Sequence, residues 1–379
     1  MIYFDSAGSF PVLAEVKSSL LKSIKTHIAN PSADHALGLS ANEEIEKVRE
    51  QVADMIGALP SEIVFTSGAT ESNNLGIKGL LSTRKAENKK HIITSKIEHK
   101  CVLSICNYLA SQGYEITYLS PKSDGTICPD DVKRSICADT ALVSIMHVNN
   151  ELGSINPLRE IGNICFEKEV LFHTDAAQSF GKTEIDVEEM ELDSLSLSAH
   201  KIGGMKGIGA IYLRDARDIN ITPVIHGAGQ ELGIRGGTVA APLVISLGTA
   251  CQYFPTQYSK ANFEQLKQQL YTELERKNIE YFVNGSNGLP HIASISFPNT
   301  DIPTFVMANQ DKFALAQGSA CSSKEIEPSH VLKSIGLSRQ EAERTLRLSF
   351  DLNTSKQSIE RFVNALSNFI CTSVITKGT

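Results

Sequence analysis

Ile63-Val64-Phe65-Thr66-Ser67-Gly68-Ala69-Thr70-Glu71 passes from a short apolar run, through small turn residues, into a segment of helix formers. Such a stretch reads as a buried strand that ends in a tight turn and feeds a helix. The same alternation extends in both directions. Upstream, Ser40 to Glu43 reads as a capping box, and Ile45, Val48, Val52 and Met55 follow at helical spacing, with Gly57 placed to close the helix. Downstream, His91 to Thr94 reads as a strand, and a helix carrying Val102, Ile105 and Leu109 closes at Gly113. Further strands are expected at 116–119, 141–148, 170–174, 194–197 and 209–213, with helices near 129–136 and 157–168. Short apolar strands interleaved with helices predict an α/β fold, its mostly parallel sheet covered by helices on both faces. Right-handed crossovers then gather the strand C-terminal ends on one edge, where ligands of open α/β sheets bind.

The pattern changes after about residue 255. An amphipathic helix is expected over 263–277, strands over 279–283 and 292–297, a mixed segment over 339–350 and a helix within 355–370. This predicts a smaller α+β domain. The expected division is a large domain over 15–255 and a small one built from 1–14 and 256–379.

Hydrophobic residues make up 41% of the 379 and charged residues 21%, which excludes disordered and fibrous classes. A formal net charge of -7 argues against a protein that coats nucleic acid, and no direct nucleic-acid binding is expected. No apolar run reaches the ~18 residues that span a bilayer, so no membrane partner is expected. Met1-Ile2-Tyr3-Phe4-Asp5 has no basic segment followed by an apolar one, so a cytoplasmic location is expected. The eight cysteines then read as reduced thiols, and with no Cys-x-x-Cys or His-Glu-x-x-His spacing no metal site is expected.

Five places carry candidate chemistry, and four of them have a plain structural alternative. A strand runs into Ser198-Ala199-His200-Lys201. A lysine at a strand end suits Schiff-base chemistry when its amine is partly desolvated; the alternative is a surface lysine in a turn. Asp175, at the end of Phe172-His173-Thr174, can pair with a pyridinium nitrogen or can simply cap a helix. The Ala69 and Thr70 N–H groups and the Thr70 hydroxyl make a phosphate cradle, or else open a capped helix with no ligand. His99, in Glu98-His99-Lys100, can lie on a cofactor ring and move protons, or be structural. Cys321 lies among small polar residues in Gly318-Ser319-Ala320-Cys321-Ser322-Ser323, the setting of a nucleophilic thiol. Cys101, Cys106 and Cys165 fall within helical apolar patterns and read as core thiols.

In this order and spacing, these motifs resemble the cysteine desulfurases of the class V aminotransferase family, which belong to the fold-type I pyridoxal-phosphate enzymes. The resemblance covers nearly the whole chain and includes Ala29-Asn30-Pro31-Ser32, His147-Val148-Asn149-Asn150-Glu151-Leu152-Gly153, Thr174 to Gln178 and Gly318 to Ser323. It implies pyridoxal 5′-phosphate as cofactor, carried on Lys201. It gives Asp175 the pyridinium nitrogen, Gln178 the ring hydroxyl, Asn150 a place beside the ring and His99 a stacking and proton-transfer role. Ala69, Thr70, Ser198 and His200 would hold the phosphate, and Thr238 would reach the phosphate of a partner subunit, implying a homodimer. Arg347, helped by Asn30, would grip the carboxylate of L-cysteine, and Cys321 would take the sulfur as a persulfide for a sulfur-acceptor protein.

The chain also departs from that family. Asp5-Ser6-Ala7-Gly8-Ser9-Phe10 stands where Asp-Asn-Ala-Ala-Thr-Thr is usual, Leu232 replaces an arginine, Gly236 a serine and Asp351 a glycine. The sequence stops at Thr379, short of the long tail by which housekeeping relatives dock an iron–sulfur scaffold. These departures favour a dedicated delivery system, such as DNA phosphorothioation, over general iron–sulfur cluster assembly. The alternatives are a selenocysteine lyase or aminotransferase of the same fold, and a non-catalytic binding subunit.

Overall fold

The computed structural model describes residues 1–285, 288–317 and 328–375. Along the described residues the elements begin with β1 (Ile2–Tyr3), α1 (Ala14–Thr26), α2 (Ala36–Asp54), β2 (Ile63–Thr66), α3 (Ala69–Leu80), β3 (His91–Ser95) and α4 (Lys100–Ser111). They continue with β4 (Glu115–Leu119), α5 (Pro129–Ser135), β5 (Thr140–Ser144), α6 (Leu158–Glu167), β6 (Leu171–Asp175), β7 (Ser194–Ser198), β8 (Gly209–Leu213) and α7 (Ala241–Lys260). The remainder comprises α8 (Phe263–Arg276), β9 (Phe282–Asn284), β10 (Ile292–Ser296), α9 (Ile302–Ala308), β11 (Phe313–Ala314), β12 (Ala316–Gln317), α10 (His330–Ser334), α11 (Arg339–Glu343), β13 (Thr345–Ser349) and α12 (Lys356–Ile375).

The main sheet has the order β2-β8-β7-β6-β5-β3-β4. Only β8 runs antiparallel to its neighbours, so the fold is the mostly parallel α/β sheet expected from the strand pattern. Successive strand residues serve opposite faces. Ile92, Leu142 and Leu171 pack with Ile77 and Leu80 of α3 and Val102 and Ile105 of α4. Their chain neighbours Ile93, Val143 and Phe172 join the core that holds Ile45 of α2, Ile161 of α6 and Val244 of α7. Burial on both faces explains why these strands read as apolar runs instead of alternating ones. The C-terminal ends of β2, β3, β5, β6 and β7 share one edge.

The outer strand β2 is fully buried although no strand among the described residues pairs with its far side. An ion pair closes that side. Arg49 donates to the Ile63 carbonyl at 2.6 Å, Glu231 accepts from the Phe65 N–H at 2.7 Å, and the two side chains bind each other at 2.8 and 2.9 Å. The guanidinium also lies 4.7 Å over the Phe65 ring.

A second, antiparallel sheet has the order β12-β13-β10-β9, with α8 and α12 packed together beside it. The chain start belongs with this part: β1 pairs with β11, and Phe4 packs against Phe313, Phe350 and Phe362. The segment then crosses to the main sheet, where the Phe10 N–H donates to the His200 carbonyl at 2.9 Å. Residues 1–13 thus strap the two sheets together across the site.

Some local expectations need correcting. Helix α2 starts at Ala36 under a His35 cap, so Ser40 lies inside the helix and the Ser40–Glu43 capping box is not formed. The strand expected over 141–148 ends at Ser144. Helices α1 and α7 lack a strong sequence signal: α1 leaves Leu21 and Ile24 exposed, and α7 contains Pro255 in its interior. Residue 255, the expected domain limit, lies within α7. No helix among the described residues is long and apolar enough to cross a membrane.

Candidate active site

Where the parallel strands end, the structure encloses a cavity of about 460 Å³. One wall begins with β2. The turn after it carries Gly68 at φ 146°, a setting that favours glycine, and delivers Ala69 and Thr70 as the first residues of α3. A Cβ on Gly209 of β8 would lie 2.4 Å from the Leu197 carbonyl oxygen and 2.7 Å from the Gly68 Cα, so strand and turn meet backbone to backbone. The Ala69 and Thr70 N–H groups lie at a helix start and have no carbonyl within α3 to bond, which makes them an anion site. Ser198 and His200 line the same cavity. Burial, and then the Lys201, Lys206 and Lys182 charges, hold the His200 pKa down to about 4, so its imidazole is neutral near pH 7.

Lys201 ends the turn that follows β7. Its Nζ donates to the carbonyls of Ala7 at 2.7 Å and Gly8 at 2.9 Å. Burial foremost, and Arg347 next, lower its pKa to about 8, against the opposing pull of Asp175 and Asp5. Asp175, the last residue of β6, is buried and accepts from Asn73 Nδ2 at 2.8 Å and from the Ala177 N–H at 2.9 Å. Gln178 donates to the Ala7 carbonyl at 2.6 Å and accepts from the buried Lys182 amine at 3.2 Å.

His99 caps α4, and its Nδ1 accepts the Cys101 N–H at 3.2 Å. The ring is exposed towards the cavity but closely surrounded elsewhere. Burial is the largest influence on it and lowers its pKa, with Asp175 pulling the other way. Asn150 also lines the cavity, and its carbonyl accepts from Arg347 at 2.8 Å. Arg347, in the middle of β13, binds Asp5 at 2.6 Å. Its Nε is buried and has no hydrogen-bond partner among the described residues.

The cavity therefore gathers Ala69, Thr70, His99, Asn150, Asp175, Gln178, Ser198, His200 and Lys201, with Arg347 one carbonyl away. Two expected residues are not brought to it. Asn30 is exposed and accepts from the Ser32 N–H at 3.0 Å, and Thr238 is exposed on the segment after η-turn residues 231–233. Cys321 lies outside the described residues. The residues that flank it are placed: Ala316 pairs with Arg347 across β12 and β13, Ser329 donates to Glu151 at 2.5 Å, and the His330 ring meets the Glu98 carbonyl at 2.9 Å.

Sequence reasoning missed five contributors. Cys101, read as a core thiol, packs only in part against the core that holds its neighbour Val102, and it also lines the cavity. Asn73 sits on α3 among helical residues with no local signal, yet it orients Asp175. Ala7 and Gly8 act through backbone carbonyls, which no side-chain pattern reveals. Asp5 was quoted only as part of a departure, but it holds Arg347. Cys106 and Cys165 are buried as expected.

An unsatisfied helix start, a lysine of lowered pKa and a buried carboxylate lining one cavity fit pyridoxal phosphate. No group of metal-ligating side chains is found among the described residues.

Residues 2–362 match the family model of the class-V aminotransferases. The chain is 44% identical over 369 residues to the mitosomal cysteine desulfurase of Encephalitozoon cuniculi, covering 96% of this chain and 85% of that one. Among solved structures, SspA in complex with cysteine superposes with a TM-score of 0.83 at 45% identity, covering 94% of this chain and 100% of the other. DndA from Streptomyces lividans superposes with a TM-score of 0.76 at 35% identity, covering 89% and 96%.

Proposed function

The chain belongs to the class-V aminotransferase family, and from that premise we propose that it is a pyridoxal-phosphate-dependent cysteine desulfurase. The net reaction is L-cysteine plus the Cys321 thiol giving L-alanine plus a Cys321 persulfide. The observation that carries this reading is the convergence of Lys201, Asp175, His99 and the α3 N-terminus on one cavity, with Arg347 beside it.

Bound pyridoxal phosphate supplies an electron sink that eases loss of the substrate α-proton and cleavage of its C–S bond. The Ala69 and Thr70 N–H groups, Ser198 and neutral His200 would hold its phosphate without burying an extra charge. Asp175, fixed by Asn73, would pair with the ring nitrogen, and Gln178 would bond the ring oxygen. The planar Arg347 guanidinium binds the substrate carboxylate, exchanging its contact with Asp5 for the new partner. Lys201, its pKa lowered mainly by burial, has a larger neutral fraction than an ordinary lysine and would take up the α-proton and return one to the product.

The test is incubation with L-cysteine followed by mass measurement of the peptide that contains Cys321. A gain of one sulfur is expected, and Cys321→Ser should abolish it while leaving the visible absorbance of the bound cofactor. Sulfide release at the wild-type rate from that variant would overturn the role of Cys321. Alanine formed from selenocysteine but not from cysteine would favour the lyase reading.

The finer reading is a cytoplasmic homodimer, Thr238 reaching the partner's phosphate, that serves a dedicated acceptor such as a DNA phosphorothioation system. Similarity to DndA supports the acceptor class, and the exposed position of Thr238 supports its reach. Capture of the acceptor by the persulfide-loaded protein, and exchange of sulfur to it, tests that assignment.

A further inference from the structure

We propose that Cys101 is a positioning residue for His99, deciding which imidazole nitrogen is free to serve the cavity and where the ring carries its proton. The proposal rests on the reading of His99 as a residue of the cofactor site.

The geometry begins at the start of α4. The His99 ring folds back over the first turn, so that Nδ1 accepts the Cys101 N–H at 3.2 Å. The Cys101 Sγ lies 3.0 Å from the same nitrogen. Burial pushes the Cys101 thiol up to about 12, so the sulfur keeps its proton and acts as a donor. One ring nitrogen thus faces two donors from one residue. It has a single lone pair to offer and no room for a proton of its own. A neutral His99 must then carry its hydrogen on Nε2, which has no hydrogen-bond partner among the described residues.

A longer chain of hydrogen bonds supports this polarity. The buried Ser194 hydroxyl lies 2.6 Å from His173 Nδ1, and His173 Nε2 lies 3.0 Å from Asn73 Oδ1. Burial holds the His173 pKa down to about 3, so that ring is neutral. The Asn73 amide cannot be turned over, because its nitrogen must donate to Asp175 Oδ2 at 2.8 Å. The same nitrogen lies 3.3 Å from the Cys101 sulfur. Read in order, Ser194 donates to His173, His173 to Asn73, Asn73 to both Asp175 and Cys101, and Cys101 to His99. Each donor follows from the one before, so Asp175 and His99 are set by one network that starts in β7. The Thr70 hydroxyl also bears on the Cys101 thiol.

The consequence is a division of labour. His99 presents an N–H donor to the cavity, and Lys201 is left as the proton acceptor. The charged and titratable groups that face His99 are Asp175 at the end of β6, Lys201 after β7, His330 of α10 and Lys100 of α4. None of them bonds Nδ1, and among the described residues Cys101 supplies both of that nitrogen's hydrogen-bond partners.

The test uses holoenzyme carrying nitrogen-15-labelled histidine, with the His99 signals identified by their loss in His99→Gln. The wild-type ring should be neutral with its proton on Nε2. In Cys101→Ala, Nδ1 loses one donor, which should mix the two tautomers and raise the protonation midpoint of His99 by about half to one pH unit. Cys101→Ser restores a donor and should return both properties towards wild type, whereas a packing role would not distinguish serine from alanine in this way. A wild-type proton on Nδ1, or a Cys101→Ala ring with unchanged tautomer and midpoint, would overturn the proposal. Neither readout depends on turnover, so absence of sulfur transfer to Cys321 would sink the desulfurase reading alone.

Discussion

At the residue scale, two side chains decide how the site handles charge. Lys201 has its pKa lowered to about 8, so capture of pyridoxal phosphate by cofactor-free protein should accelerate as pH rises and level off above about 8. Stopped-flow absorbance across pH 6.5 to 9.5 measures this, and Lys201→Ala should show no lysine-bound signal at any pH. Arg347→Ala removes a charged, bidentate partner and should raise KM for cysteine about 10- to 100-fold. An unchanged KM would assign carboxylate binding elsewhere. Most of these residues were legible because their chemistry lies in the side chain: a lysine after a strand, an acid after the next, a histidine before a helix. Ala7, Gly8 and Asn73 were not legible, since their contributions are a backbone carbonyl or an amide whose partner is remote in sequence. Cys101 was misread because a helical apolar period does not say which of its residues also line a cavity.

At the element scale, the site depends on how closely β8 approaches the turn after β2. Gly209→Ala would place a methyl against the Leu197 carbonyl and the Gly68 Cα, both backbone atoms that cannot swing aside. Moving them costs about 1 to 3 kcal/mol and displaces the start of α3. The expected result is a lower melting temperature together with weaker retention of pyridoxal phosphate on dialysis; a loss of stability alone would separate the turn from phosphate binding. The strands of the main sheet were readable because each is a short apolar run closed by turn residues. Helices α1 and α7 were harder. Leu21 and Ile24 face solvent and blur the apolar stripe of α1, while the interior Pro255 of α7 breaks the usual helix rule. The His35 cap of α2 was hidden by the more familiar Ser-x-x-Glu pattern five residues on.

At the scale of the whole molecule, buried histidines link stability to pH. Burial lowers His147 to about 4 and His173 to about 3, and lowers His291 as well, so in this range the unfolded chain binds protons that the folded one refuses. Their contribution is intact above about pH 6.5 and is lost as pH falls. Glu98 acts oppositely: burial raises it to about 8, and the folded state gains over the unfolded one as pH falls towards 4.5. The lowered imidazoles, His200 included, outnumber the raised carboxyls Glu98 and Glu151, so a net loss of stability is predicted as pH falls from 6.5 to 4.5. Calorimetry should show the melting temperature falling over that interval, and a flat profile would mean that these rings are hydrated or paired. The division into two sheets was readable from the change of pattern near residue 255. The grouping of residues 1–14 with the C-terminal part was an expectation, but their crossing to the main sheet was not readable, because it rests on backbone groups such as the Ala7 carbonyl, 194 positions from Lys201. The ion pair of Arg49 and Glu231 has a consequence of its own. It occupies the hydrogen-bonding groups along the outer side of β2, so a foreign strand finds no template there on which to extend the sheet. Damage at that pair would show first in the insoluble fraction of an expression culture, as self-association through an opened edge.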